Sequence, residues 1–111
     1  MSLFESVGCD ESTYAELLDV FLEDAPSRVT AMQAAVTAGD VSVLAREAHS
    51  YKGAAAVLEA TDVVTGAQRL ELLARADCLD GAAEIVERLA RESAALFDVI
   101  RRYRAAFLCA A

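Results

Sequence analysis

The chain has 111 residues, a length that suits one domain with a single hydrophobic core. Apolar residues make up 56% of it, mainly Ala, Leu and Val, and there is one proline, which favours closely packed helices over a sheet. The formal net charge of −8 argues against nucleic acid and against an anionic membrane surface, since both need a basic face, so we expect protein partners. We also expect a monomer.

The three cysteines are Cys9, Cys78 and Cys109, and no CxxC or Cys/His spacing typical of a zinc or redox site occurs. Unpaired cysteines fit a reducing compartment. The sequence shows no secretory signal pattern and no apolar run near the ~20 residues of a membrane span. We therefore expect a cytoplasmic protein without a metal site.

Apolar residues recur at helical spacing along the chain, and helix breakers divide this pattern into segments. A short N-terminal turn of helix is predicted over residues 3–8. One break is expected at Pro26, because proline starts a helix more readily than it continues one, and another at Gly39. The predicted helices have these bounds: roughly 11–24, 26–38, 41–58, 62–76 and 80–108.

The helix predicted over residues 41–58 has a narrow apolar seam that should face a bundle core: Leu44, Ala48, Tyr51, Ala55 and Leu58. The last predicted helix has a comparable stripe: Ile85, Leu89, Ser93, Leu96, Ile100, Tyr103 and Phe107. Short connections make sequential helices antiparallel. The fold is therefore predicted to be all-α, an antiparallel up-down four-helix bundle with an additional short N-terminal helical segment.

The polar face of the helix predicted over residues 41–58 holds the only histidine of the chain, His49. On a helical wheel His49 lies about 140° and Gly53 about 180° from the seam, so both should point to solvent. Lys52 lies on the flank of the same side. A glycine inside a helix costs about 1 kcal/mol relative to alanine, so Gly53 should have a packing or access role.

This arrangement suits phosphoryl transfer. A neutral imidazole is a competent nucleophile near neutral pH, and its phosphorylation gives a labile phosphoimidazole. Gly53 would leave the ring of His49 open to a donor, and the Lys52 ammonium can offset charge on the incoming oxygens. On composition alone, a surface histidine beside a lysine more often has no chemical role.

The segment Ala48-His49-Ser50-Tyr51-Lys52-Gly53-Ala54-Ala55 resembles the signature of histidine-containing phosphotransfer (HPt) domains, A-H-x-[hydrophobic]-K-G-[small]-[small]. The resemblance extends over nearly the whole chain. Phe21-Leu22-Glu23-Asp24-Ala25-Pro26 is similar to the Phe-Leu-x-x-x-Pro segment of the family, Gly39-Asp40 to its turn before the histidine helix, and Arg69-Leu70-Glu71 to a run on the following helix.

The resemblance implies that His49 accepts a phosphoryl group from the aspartyl phosphate of a receiver domain and passes it to another response regulator, with Lys52 and Gly53 as the supporting pair. By position, Glu71 would bind the other ring nitrogen, although it could also be an exposed helix carboxylate. The implied partners are response-regulator receiver domains and a hybrid sensor histidine kinase in a bacterial phosphorelay.

No cofactor is expected, because Mg²⁺ is supplied by the receiver in such relays. No GxxxxGK[ST] or GxGxxG motif occurs, so the chain should be a carrier without its own ATP site rather than an enzyme. The expected docking surface consists of small and apolar residues near the histidine: Ala45, Ala56, Leu18 and Leu22. For the two leucines, packing in the core is the alternative.

Three positions depart from the family pattern. Glu59 stands where a glycine usually ends the histidine helix, so that helix end is expected to be altered. Tyr51 replaces a leucine, and a buried hydroxyl there should find a partner. Gly66 replaces a larger apolar residue, which should thin the packing around it.

Two alternatives remain open. The phosphoacceptor domain of a chemotaxis-type histidine kinase shares the His-x-x-Lys-Gly core, although the residues after Gly53 fit the relay family better. A non-catalytic helical interaction module would keep the fold with an incidental His49. A hydrolase is disfavoured, because no second acid, base or metal group accompanies the histidine.

Overall fold

A computed structural model describes residues 11–110 of the chain and the side chains of residues 13–106. This part of the chain consists of four helices joined by short turns: α1 (Glu11–Ala38), α2 (Val41–Val57), α3 (Thr61–Arg75) and α4 (Ala82–Ala110). None of them has an apolar stretch that could cross a membrane. The helical turn predicted over residues 3–8 lies outside the described residues.

The four helices form the predicted antiparallel bundle, in which α1 packs on α2 and α4, and α3 packs on the same two helices. Phe21 of α1 stacks on Tyr51 of α2, with ring centroids 6.1 Å apart, and meets Phe97 of α4 edge-on at 5.9 Å. The predicted seam of α2 is buried along its whole length. The Tyr51 hydroxyl donates to Ser93 Oγ at 2.7 Å, which is the partner expected for a buried tyrosine.

The prediction of a helix break at Pro26 was wrong, because α1 continues through this residue without interruption. Proline lacks the N–H that would bond to the carbonyl four residues earlier, so the local sequence disfavours a continuous helix. The buried stripe nevertheless keeps helical spacing on both sides of the proline: Phe21, Ala25, Val29 and Met32. Packing of this stripe against the neighbouring helices outweighs the local signal.

The core face of α4 is rotated slightly from the predicted stripe. Its buried side chains are Ala82, Val86, Leu89, Ser93, Phe97 and Ile100. Two predicted members, Ile85 and Leu96, are only partly buried, and Tyr103 is exposed. The side chain of Phe107 lies outside the described ones.

Glu59 ends α2 in a left-handed conformation, with φ of 57°. Its N–H bonds to the Ala56 carbonyl at 3.0 Å, and the next N–H, that of Ala60, bonds to the Ala55 carbonyl at 3.1 Å. These two bonds form the Schellman motif that a glycine usually completes. The expected alteration of the helix end is therefore absent, and a strained glutamate takes the place of the glycine.

Gly66 allows α3 to approach α4 closely. A Cβ at this position would lie only 3.2 Å from Leu89 Cδ1. Gly66 also lines an open groove of about 410 Å³ between α3 and α4, which agrees with the expectation of thinner packing around this glycine.

Glu59→Gly is expected to stabilise the protein by about 1 kcal/mol relative to Glu59→Ala, because only glycine adopts the left-handed conformation without a cost from Cβ. Alanine is the matched control, since it also lacks the carboxylate but keeps the strain. Urea unfolding monitored by circular dichroism measures the difference. Equal stability of the two variants would contradict strain at this position.

Candidate functional site

His49 lies midway along α2, on the face opposite the buried seam, and its side chain is 63% exposed. Gly53 and Ala56 are on the same exposed side of the helix. A Cβ built on Gly53 would meet no atom within 4 Å. The bundle itself therefore does not require a glycine there, and the approach to the imidazole ring is open.

Glu71 of α3 reaches the histidine from the neighbouring helix. Its Oε2 lies 2.9 Å from His49 Nδ1, and the residue is only 5% exposed. Glu71 is thus not the exposed helix carboxylate of the alternative interpretation. An ionised carboxylate has no hydrogen to donate, so this contact places the ring hydrogen of a neutral imidazole on Nδ1 and leaves a lone pair on Nε2.

Two cations also bind this carboxylate. Lys52 Nζ donates to Oε1 of Glu71 at 2.7 Å, and Arg75 donates to Oε2 through Nε at 3.0 Å and Nη2 at 2.8 Å. The hydrogen bond from Lys52 is the main cause that lowers the pKa of Glu71 to about 2, against the effect of burial, and those from Arg75 and His49 add to it. Glu71 is therefore ionised at neutral pH.

The structure places His49 and Lys52 together, as their helical spacing indicated, and brings Glu71 to them, as the resemblance to the family implied. Lys52 is partly buried against the carboxylate rather than fully exposed. The other site residues predicted from the sequence have different surroundings. Leu18 lies in the core, so its assignment to the docking surface was wrong; Leu22 and Ala45 are partly buried and pack against the core, and Ala56 is exposed.

Arg75 was not identified from the sequence. Its spacing of four residues from Glu71 was a usable signal, because such residues are neighbours on a helix surface. That signal is weak by itself, since several other arginines of the chain have an acidic residue at the same spacing.

An exposed apolar groove between α1 and α2 was also missed. It has a volume of about 110 Å³ and is lined mainly by apolar side chains, including Leu17, Val20, Ala54 and Val57. The side chain of Val20 is 60% exposed. The groove lies beside the exposed face of α2 that includes Gly53. The described part of the chain has no cluster of three or more His, Cys, Asp or Glu side chains suited to a metal ion.

The fold and the site define a class of protein, a four-helix bundle that presents one oriented histidine on the outside of a helix. The model of the Hpt domain family matches residues 16–99. The crystal structure of histidine-containing phosphotransfer protein B (HptB) from Pseudomonas aeruginosa PAO1 is similar, with a TM-score of 0.81 and 33% sequence identity, over 86% of this chain and 83% of that chain. A comparison with curated proteins finds no match. The chain belongs to the Hpt domain family, and this membership supports histidine phosphotransfer in a phosphorelay.

Glu71→Gln should lower the free energy of unfolding by about 1–2 kcal/mol at neutral pH, because a neutral amide binds the two cations more weakly. The pKa of Glu71 is lowered by folding, from an ordinary value of 4.5 to about 2. This stabilisation is therefore fully present above a pH of about 4.5 and is lost as the pH falls towards about 2.

Urea unfolding at several pH values from about 2 to neutrality measures how the free energy of unfolding depends on pH. The stability curves of the wild type and of Glu71→Gln should converge in acid. Glu87→Gln, a change at an exposed carboxylate of α4, is the control and should give no such convergence. A stability loss in Glu71→Gln that is independent of pH would contradict the ionised state of Glu71.

Proposed function

We propose that His49 is the phosphorylated residue of a phosphorelay carrier. It accepts a phosphoryl group from the aspartyl phosphate of a receiver domain and passes it to another response regulator. The observation that supports this most strongly is the contact between Nδ1 of the exposed His49 ring and the buried Glu71 carboxylate. This contact leaves the lone pair of Nε2 available to attack phosphorus.

In the proposed reaction, Nε2 attacks in line, the N–P bond forms, and the P–O bond to the aspartate breaks with its electron pair leaving on the carboxylate. The ring becomes a phosphoimidazolium whose positive charge is offset by ionised Glu71 at Nδ1. In the onward transfer, the ring leaves as the neutral imidazole with its hydrogen still on Nδ1. Glu71 therefore supports both directions by keeping this hydrogen in place.

Lys52 and Gly53 have distinct roles in this proposal. The Lys52 ammonium, on the same helix as His49, stabilises the charge on the phosphoryl oxygens. Gly53 leaves the space beside the ring to the receiver domain. Any larger side chain at this position would project into that space, since nothing in the bundle contacts it.

The groove between α1 and α2 is the proposed docking surface, together with Ala56. Val20 supplies its most exposed apolar side chain and Ala54 and Val57 its α2 wall. Small apolar surfaces of this kind suit transient signalling contacts. The proposed partners are receiver domains, including that of a hybrid sensor histidine kinase. This chain would act as a monomeric carrier without an ATP site, and Mg²⁺ would be held by the receiver.

The direct test is transfer of radiolabelled phosphoryl groups from a receiver domain charged with acetyl phosphate. Wild-type protein should take an acid-labile, base-stable label that is lost in His49→Gln. Gly53→Leu should reduce labelling at least about tenfold by obstructing the receiver, whereas Gly53→Ala should have a smaller effect. Ala106→Leu, at an exposed position of α4, controls for the added side chain.

A folded wild-type protein that takes no label from any receiver, nor from the small donor phosphoramidate, would contradict the proposal and favour the helical interaction module. Unchanged labelling of Gly53→Leu would contradict the access role of the glycine.

Val20→Glu should reduce transfer from a receiver about tenfold or more, because it places a charge in the proposed apolar contact. Labelling by phosphoramidate should be unchanged, since this donor needs no docking surface. Val99→Glu is the matched control, because Val99 is 56% exposed, close to Val20 at 60%, but lies on α4. Equal effects of the two substitutions would contradict docking at the α1–α2 groove.

A further inference from the structure

The Glu71 carboxylate binds two cations, on different oxygen atoms. Lys52 donates to Oε1, whereas Arg75 donates twice to Oε2, the oxygen that also contacts His49 Nδ1. Lys52 comes from α2 and Arg75 from α3, the helix of Glu71 itself. The two cations can therefore hold the carboxylate independently of each other.

Phosphorylation of His49 would draw Lys52 away from Glu71. The phosphoryl group sits on Nε2 and carries roughly two negative charges, whereas the carboxylate binds at Nδ1 and carries one. Lysine is a compact charge on a flexible stem, so the ammonium can leave Oε1 and bind phosphoryl oxygens. Its departure removes one donor from a nearly buried carboxylate and leaves that carboxylate facing a second anion across the ring.

Arg75 remains in place when this happens. Its guanidinium is always charged and makes two hydrogen bonds to Oε2, and its helical spacing to Glu71 does not depend on α2. The oxygen that orients the ring thus keeps a charged partner. We propose that Arg75 is a positioning residue that keeps the Glu71 carboxylate on Nδ1 of His49 after the lysine ammonium has left.

The simpler alternative is that Arg75 only stabilises α3. It lies in the last turn of that helix, where a cation interacts favourably with the helix dipole, and it forms an ordinary surface ion pair four residues from its partner. A suitable control is available on α4, where Arg102 binds Asp98 at 2.7 Å with the same spacing. A stabilising role alone predicts similar behaviour for the two arginines.

This inference rests on the proposed function, but its test needs no phosphoryl donor, so the two can fail separately. Lys52→Ala represents the state in which the lysine has left Glu71. The readout is the ratio of the Nδ1–H to the Nε2–H tautomer of the imidazole, from its ¹⁵N chemical shifts at about pH 8.5. His49 is the only histidine of the chain, so the spectrum contains one imidazole.

Lys52→Ala should keep the tautomer ratio within about twofold of the wild type, because Arg75 still holds the carboxylate. The double variant Lys52→Ala/Arg75→Gln should lower the ratio about fivefold or more, and Lys52→Ala/Arg75→Lys should restore part of it. Lys52→Ala/Arg102→Gln should match Lys52→Ala alone.

Two results would overturn the inference. Equal ratios in Lys52→Ala and in the double variant with Arg75→Gln would show that Arg75 does not position Glu71. A complete loss of the Nδ1–H preference in Lys52→Ala alone would show that Arg75 cannot hold the carboxylate without the lysine. Circular dichroism checks that each variant is folded, and Lys52→Met, which keeps the apolar stem, replaces Lys52→Ala if the double variant unfolds.

Discussion

The site depends on one buried ionised carboxylate, that of Glu71, between α2 and α3. An unpaired carboxylate in this position would be costly, so the two helices must keep the spacing and register that bring it donors. Lys52 and His49 come from α2 and Arg75 from α3. The interaction that joins the two helices is therefore the same one that orients the histidine ring.

A phosphoryl carrier needs a group that is both a nucleophile and a leaving group. A neutral imidazole with its hydrogen fixed on Nδ1 meets both requirements at Nε2, and Glu71 supplies that constraint without entering the space of the incoming phosphoryl group. The opposite face of α2 fixes the helix itself, since Tyr51 stacks on Phe21 and donates to Ser93 in the core. The helix that exposes His49 and Gly53 is thus fixed in place by the core contacts of its opposite face.

The sequence by itself determined the features that depend on local periodicity. The seam of α2 was predicted in full, and the exposure of His49 and Gly53 followed from it. Residues on the face opposite the buried seam of a regular helix point to solvent. The ends of the last three helices were predicted to within two residues. The contact between Glu71 and the histidine was anticipated only through the resemblance to the family, since nothing local requires residues 22 positions apart to meet.

Tertiary structure decided what depends on which neighbours a residue packs against. The continuous helix through Pro26 and the burial of Leu18 both follow from contacts of α1 with α2 and α4. Local helix propensity carries no information about these contacts. The packing of the helices also decides that Val20 is exposed and that Arg75 and Lys52 bind the same carboxylate, that of Glu71. Helical spacing shows which residues share a face, but only the packed bundle determines what that face meets.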